Sequence, residues 1–80
     1  GMLFVFPKAG RYGFWMKDMR FPIDVIWIGE DMRVLSIVEN VSLETFPHVF
    51  YPPAPVRFVL ETAPGETENV VGEIVQIVAR

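Results

Sequence analysis

Residues 14–28 read FWMKDMRFPIDVIWI, and the parsing of this stretch decides the fold. Its two ends are rich in the aromatic and β-branched residues that favour strands, whereas Lys17, Asp18, Arg20 and Asp24 gather around Pro22 between them. Two strands, YGFWMK (12–17) and DVIWI (24–28), joined by a six-residue loop, make an antiparallel hairpin. In that register Phe14 opposes Trp27, Trp15 opposes Ile26 and Lys17 opposes Asp24.

Downstream, GEDM (29–32) has the polarity and length of a four-residue hairpin loop leading into RVLSIVEN (33–40). With residue 28 opposite residue 33, Ile26 faces Leu35 and Asp24 faces Ile37. Because side chains alternate along a strand, Lys17 and Asp24 then share a sheet face with Trp15, Ile26, Leu35 and Ile37, while Phe14, Trp27 and Val34 line the other. Upstream, MLFVF (2–6) is wholly apolar and closed by Pro7, the pattern of a strand buried on both sides.

TFPHVFYPPAPV (45–56) carries four prolines and reads as an extended crossover poor in backbone hydrogen bonds. VRFVLET (56–62) sets Val56, Phe58 and Leu60 on one side with Arg57 and Glu61 opposite, the alternation of a half-buried strand. APGETEN (63–69) is a turn with room for one helical turn after it, and EIVQIVA (73–79) reads as the last strand. No apolar period of 3.6 residues persists for three turns. The expectation is therefore an all-β chain: a small antiparallel β-sandwich or open barrel with at most one short helical turn, residues 1–80 forming a single domain.

The chain is short and apolar, with 51% hydrophobic residues in 80. A domain of this size buries only about 60% of its unfolded surface, so part of the apolar surface is expected to meet a ligand, a partner or a second copy. A homodimer is the first expectation. There is no cysteine, which removes disulfides, thiolate metal sites and cysteine nucleophiles together. A net charge of −3 with seven scattered basic residues argues against nucleic acid as a partner. No apolar run is long enough for a membrane span, and no signal peptide precedes the domain, so the cytoplasm is the default location.

A charged pair beside an apolar row has two readings. One is an ion pair that pins the hairpin register; the other is a pocket in which Lys17 and Asp24, walled by Trp15, orient a polar small molecule. A carboxylate facing Lys17 opposes loss of the lysine proton, so the arrangement suits a fixed ammonium that binds, not a lysine nucleophile. His48, the single histidine, lies among prolines as a solvent-facing loop residue. Neither Ser36 nor Ser42 sits in a nucleophile-elbow context. The pairs Glu30 with Asp31 and Glu66 with Glu68 lie in turns without calcium-loop spacing, so no metal and no cofactor are expected.

Taken in order, GMLFVFP, FWMKDMRFPIDVIWI and PPAPVRFVLE resemble the bacterial and archaeal family catalogued as domain of unknown function 192. The resemblance implies a compact β-rich sandwich resembling a jelly roll, in small proteins some of which carry export signals, and implies no established activity. Position by position, the family's motif residues fall on Trp15, Lys17, Asp24 and Glu61, with Pro22, Ala54 and Pro55 setting shape and Arg57 and Phe58 at the basic and aromatic positions. Asp18 stands where the family has asparagine, exchanging an amide for an acceptor-only carboxylate. Compared with the family pattern, N-terminal strands are expected to be lacking and the segment after Glu61 is short.

The leading functional expectation is a non-enzymatic binding module for a polar or anionic small ligand, built from Trp15, Lys17, Asp18, Asp24, Tyr51, Arg57 and Glu61. Lys17 and Arg57 would meet the ligand's polar or anionic group, the carboxylates would hold them and Trp15 would supply apolar contact. One alternative is a small hydrolase or transferase using Asp18, Asp24 and Lys17; another is a structural or protein–protein interaction module.

Overall fold

The computed structural model describes residues 1–76. It is all-β, with β1 (Met2–Gly10), β2 (Ile23–Ile28), β3 (Val34–Val41) and β4 (Val56–Thr62) in a single antiparallel sheet of order β1-β4-β2-β3. One 3₁₀ turn, Leu43–Thr45, is the helical element among the described residues. The second layer of a sandwich is reduced to loops carrying one antiparallel bridge, Phe14 to Phe50, with N–H···O distances of 2.8 and 2.7 Å.

β2 is the spine of the sheet. Every one of its residues is buried, because β4 and β3 occupy its two edges and side chains pack on both of its faces. Val25 and Trp27 join Met16, Val41 and Val59 in one cluster; Ile26 and Ile28 join Val34, with Phe58 and Leu60 against them, in the other. The sequence reading that made β2 the partner of residues 14–17 is thereby corrected. A strand has two edges, and those of β2 are taken: Asp24 pairs with Thr62 and Trp27 with Val59 on one side, while Trp27 pairs with Ser36 on the other. Residues 12–17 instead fold across the sheet, anchored by Met16, which is fully buried.

The β2–β3 hairpin forms around residues 29–32 as expected, closed by Gly29 N–H to Arg33 O at 2.9 Å. Its register differs from the expectation. Ile26 opposes Ile37, not Leu35, because Leu35 is an extra residue between the Ile28–Val34 and Trp27–Ser36 pairs. A second irregularity lies between the Val25–Val38 and Ile23–Val41 pairs, where Asn40 adopts φ +50°. Two one-residue bulges leave the face assignment of Ile26 unchanged, since side chains alternate with period two.

β1 is also corrected. It pairs with β4 alone and is an edge strand, with Met2, Leu3, Phe4 and Val5 exposed, not a strand buried on both sides. Its register shifts between Val5 and Gly10, the span that contains Pro7, whose nitrogen cannot donate to a ladder. In β4 the alternation is present, but Val59 on the Arg57 and Glu61 side is buried while Phe58 and Leu60 are half-buried. The more deeply buried face is therefore the one whose sequence carries two charges. Residues 42–55 form the expected loop-like crossover from β3 to β4, with the Arg11 guanidinium donating to Pro52 O at 3.2 Å and Pro53 O at 3.4 Å. Of the expected last strand, Ile74 forms an isolated bridge with Arg33, and its remainder runs beyond the described residues.

Candidate functional site

The seven candidate residues do not converge on one place. Trp15 and Lys17 do meet: the Lys17 ammonium lies 5.5 Å from the centroid of the Trp15 ring, whose other neighbour is Phe46 at 5.3 Å between centroids. Both side chains are exposed, in the range where a cation–π contact contributes roughly 0.5–1 kcal/mol. Asp18 follows in a tight turn closed by Met19 N–H to Met16 O at 3.2 Å, and its φ of +62° is a backbone state that asparagine and aspartate tolerate better than most side chains. A local backbone role thus accompanies the position where the family has asparagine.

Asp24 is elsewhere. It is 7% exposed, and its two oxygens accept backbone N–H groups of Asn40 at 2.7 Å and Gly65 at 2.9 Å. The expected Lys17–Asp24 cross-strand pair does not form, because the chain turns at Lys17–Asp18 before reaching β2. Among the described residues the ion pair that forms is Arg33–Asp31, at 4.0 Å on the surface. Arg57 donates its Nε–H to Phe6 O, clasping β1 to β4, with its guanidinium 5.7 Å from the Phe58 ring centroid. Tyr51 is exposed and lies over Gly13, where an added Cβ would stand 2.7 Å from the tyrosine ring. Its ring takes the space a side chain at residue 13 would need. His48 is exposed, edge-on to Phe50 at 4.5 Å between ring centroids.

Glu61 occupies the most distinctive surroundings. It lines a cleft of about 240 Å³ on the sheet face that carries Val59, between β1 and the covering segment. Phe4 and Phe6 come from β1, Tyr12 and Phe14 from the covering segment, and Trp27 from β2. The rings of Phe6 and Tyr12 stack at 3.7 Å between centroids with planes 12° apart. Glu61 also borders a second cleft of about 370 Å³, toward Met19, Phe21 and Ala63. Burial raises the Glu61 carboxyl above its ordinary range, since a charge loses hydration there. Among the described residues no hydrogen bond or ion pair engages it.

Trp27 adds a second unsatisfied group to the same cleft. It is 1% exposed, and its indole N–H is buried with no acceptor. Native proteins leave few such donors unpaired, at a cost of about 1–3 kcal/mol each. Sequence reasoning placed Glu61 among the candidates but missed Phe4, Phe6, Tyr12 and Phe14, and treated Trp27 only as part of an apolar face. The alternation of Phe4 and Phe6 on one strand face was the available signal.

A third cleft, of about 310 Å³, lies on the opposite face between β2, β3 and residues 64–70, with Asp24, Glu39 and Glu68 in its lining. Among the described residues no group of three or more histidine, cysteine or acidic side chains is placed to hold a metal ion. No helix among them is long and apolar enough to cross a membrane.

Comparison with known proteins gives one informative match: the profile of the domain of unknown function 192 family, described as Uncharacterized ACR, covers residues 1–77. Neither the curated proteins nor the solved structures contain a match to the chain. The order of motifs, the antiparallel sheet that unites them and a profile match spanning nearly the whole chain establish that this protein belongs to the domain of unknown function 192 family.

Proposed function

We propose that the chain is a non-enzymatic binding domain for a small polar ligand seated in the aromatic cleft at Glu61. One observation carries this reading: a single concave site brings together an unpartnered buried donor, the Trp27 indole N–H, and an unengaged, desolvated carboxyl, Glu61. Buried polar groups left without partners are costly, and a bound molecule that pairs with them removes that cost. Aromatic walls with few polar groups are the usual make-up of small-ligand sites. Of the residues first singled out, Glu61 is central to this reading, and Trp15 with Lys17 forms a separate exposed contact suited to an anionic group.

The test is a fragment screen on the uniformly ¹⁵N-labelled chain, read by amide shifts. Ligands of this site are expected to move the amides of Phe4, Phe6, residues 12–14 and residues 59–61. Shifts confined to residues 15–17 would move the binding reading to the exposed tryptophan and lysine. No shifts at any fragment would overturn it.

A second reading rests on β1. An edge strand that exposes Met2 and Val5, each at 58%, supports a homodimer or another strand-pairing partner, because its outer N–H and C=O groups are free to extend the sheet.

A further inference from the structure

We infer that the Glu61 cleft takes a flat, neutral heterocycle presenting a ring carbonyl beside a ring N–H, the edge found in lactams and in pyrimidine bases. The inference rests on the binding reading above and narrows it to a ligand class.

The argument starts from what the cleft offers. Trp27 Nε1–H is a donor with no acceptor function, and an ionised carboxylate is an acceptor with no donor function. Trp27 opposes Val59 in the β2–β4 ladder and Glu61 lies two residues further along β4, so the two are diagonal neighbours on one face. Such diagonals are separated by about 7–8 Å, a gap that one ring inserted between them fills. The ring must accept on one atom and donate on the next: its carbonyl takes the indole N–H and its N–H gives to the carboxylate. Four aromatic rings, from Phe4, Phe6, Tyr12 and Phe14, supply faces and edges against which a planar ring packs.

Competing classes satisfy only part of this set. An aromatic hydrocarbon leaves both polar groups unpaired. An organic cation pairs with Glu61 but gives the indole donor nothing to donate to. An anion meets the indole and is repelled by Glu61, and the cleft lining contains no lysine or arginine to offset it. The volume of about 240 Å³ sits below the 300–1,000 Å³ usual for drug-sized ligands, which points to one ring or a fused pair.

The experiment titrates the full chain with 2-pyridone and uracil as neutral lactams, toluene as the apolar ring and benzylamine as the cationic one. The readouts are amide shifts and the indole N–H resonance of Trp27, assigned as the peak that Trp27→Phe removes. The lactams are expected to bind roughly tenfold tighter than toluene, as one hydrogen-bonded pair contributes, and to move the indole resonance downfield. Trp27→Phe, which keeps a ring in the core, is expected to remove most of that preference, and Glu61→Leu the rest. If toluene or benzylamine binds in the cleft as well as the lactams do, the heterocycle inference is overturned while the binding reading stands. If no probe perturbs the cleft, both fail.

Discussion

One oxygen of the Asp24 carboxylate accepts the backbone N–H of Asn40 at 2.7 Å, across the bulge that interrupts the β2–β3 ladder. Its other oxygen accepts Gly65 N–H at 2.9 Å, in the turn after β4. Both donors belong to residues with positive φ, Asn40 at +50° and Gly65 at +73°, so each N–H points where no strand partner is available. A buried side chain thus supplies the acceptors that regular sheet geometry cannot, and ties three segments distant in sequence.

Asp24→Ala is expected to lower stability by about 2–4 kcal/mol, because hydrogen bonds to a charged acceptor contribute roughly 1.5–3 kcal/mol each and both donors lose theirs. Denaturant unfolding with an unchanged m-value measures it. A loss under about 0.5 kcal/mol would show that water replaces the carboxylate at both donors.

Glu61 sets a pH dependence of opposite sign to that of most carboxylates. Its folded value is raised by burial above the unfolded one. Between those two values the folded state binds more protons, so stability falls as pH rises through this window; the penalty is absent below the unfolded value and complete above the folded one. Glu61→Gln is expected to be more stable than the parent at neutral pH, with the difference vanishing in acid. Unfolding midpoints measured across the acid range test it, and a glutamine variant weaker at neutral pH would refute the desolvation account.

Met32 closes the β2–β3 loop at φ +66°, a state that costs an L-residue roughly 1–2 kcal/mol. Met32→Gly is expected to raise stability by about 0.5–1 kcal/mol after the extra entropy of an unfolded glycine is subtracted. The same change at Asp18, at φ +62°, is expected to gain less, since aspartate tolerates the left-handed region. Thermal melts of the two variants side by side check the order.

Val5→Lys addresses the exposed edge. Val5 stands 58% exposed on β1, so folding stability is expected to change by less than about 0.5 kcal/mol. If β1 mediates self-association, light scattering after size exclusion will report a dimer for the parent chain and a monomer for the variant. A parent that is monomeric at high concentration removes the homodimer reading.

Composition and local pattern determined the strand content, the GEDM hairpin and the family. Aromatic and β-branched runs have few states open to them besides strands, and a four-residue polar loop between two such runs brings its flanks together locally. The partners of those strands were not legible. Residues 14–17 and 24–27 carry everything an adjacent hairpin needs, yet β2 takes β4, more than thirty positions away, as its neighbour. That choice buries every residue of DVIWI at once, a gain that exists only when the whole sheet is assembled. The same non-local pairing moves Asp24 from a charged cluster to a backbone staple, and sets Glu61 diagonal to Trp27 under four aromatic rings. The sequence supplied the chemical groups; distance along the chain hid which of them would meet, because the burial energy that selects long-range strand pairs is a property of the assembled core and not of any window of residues.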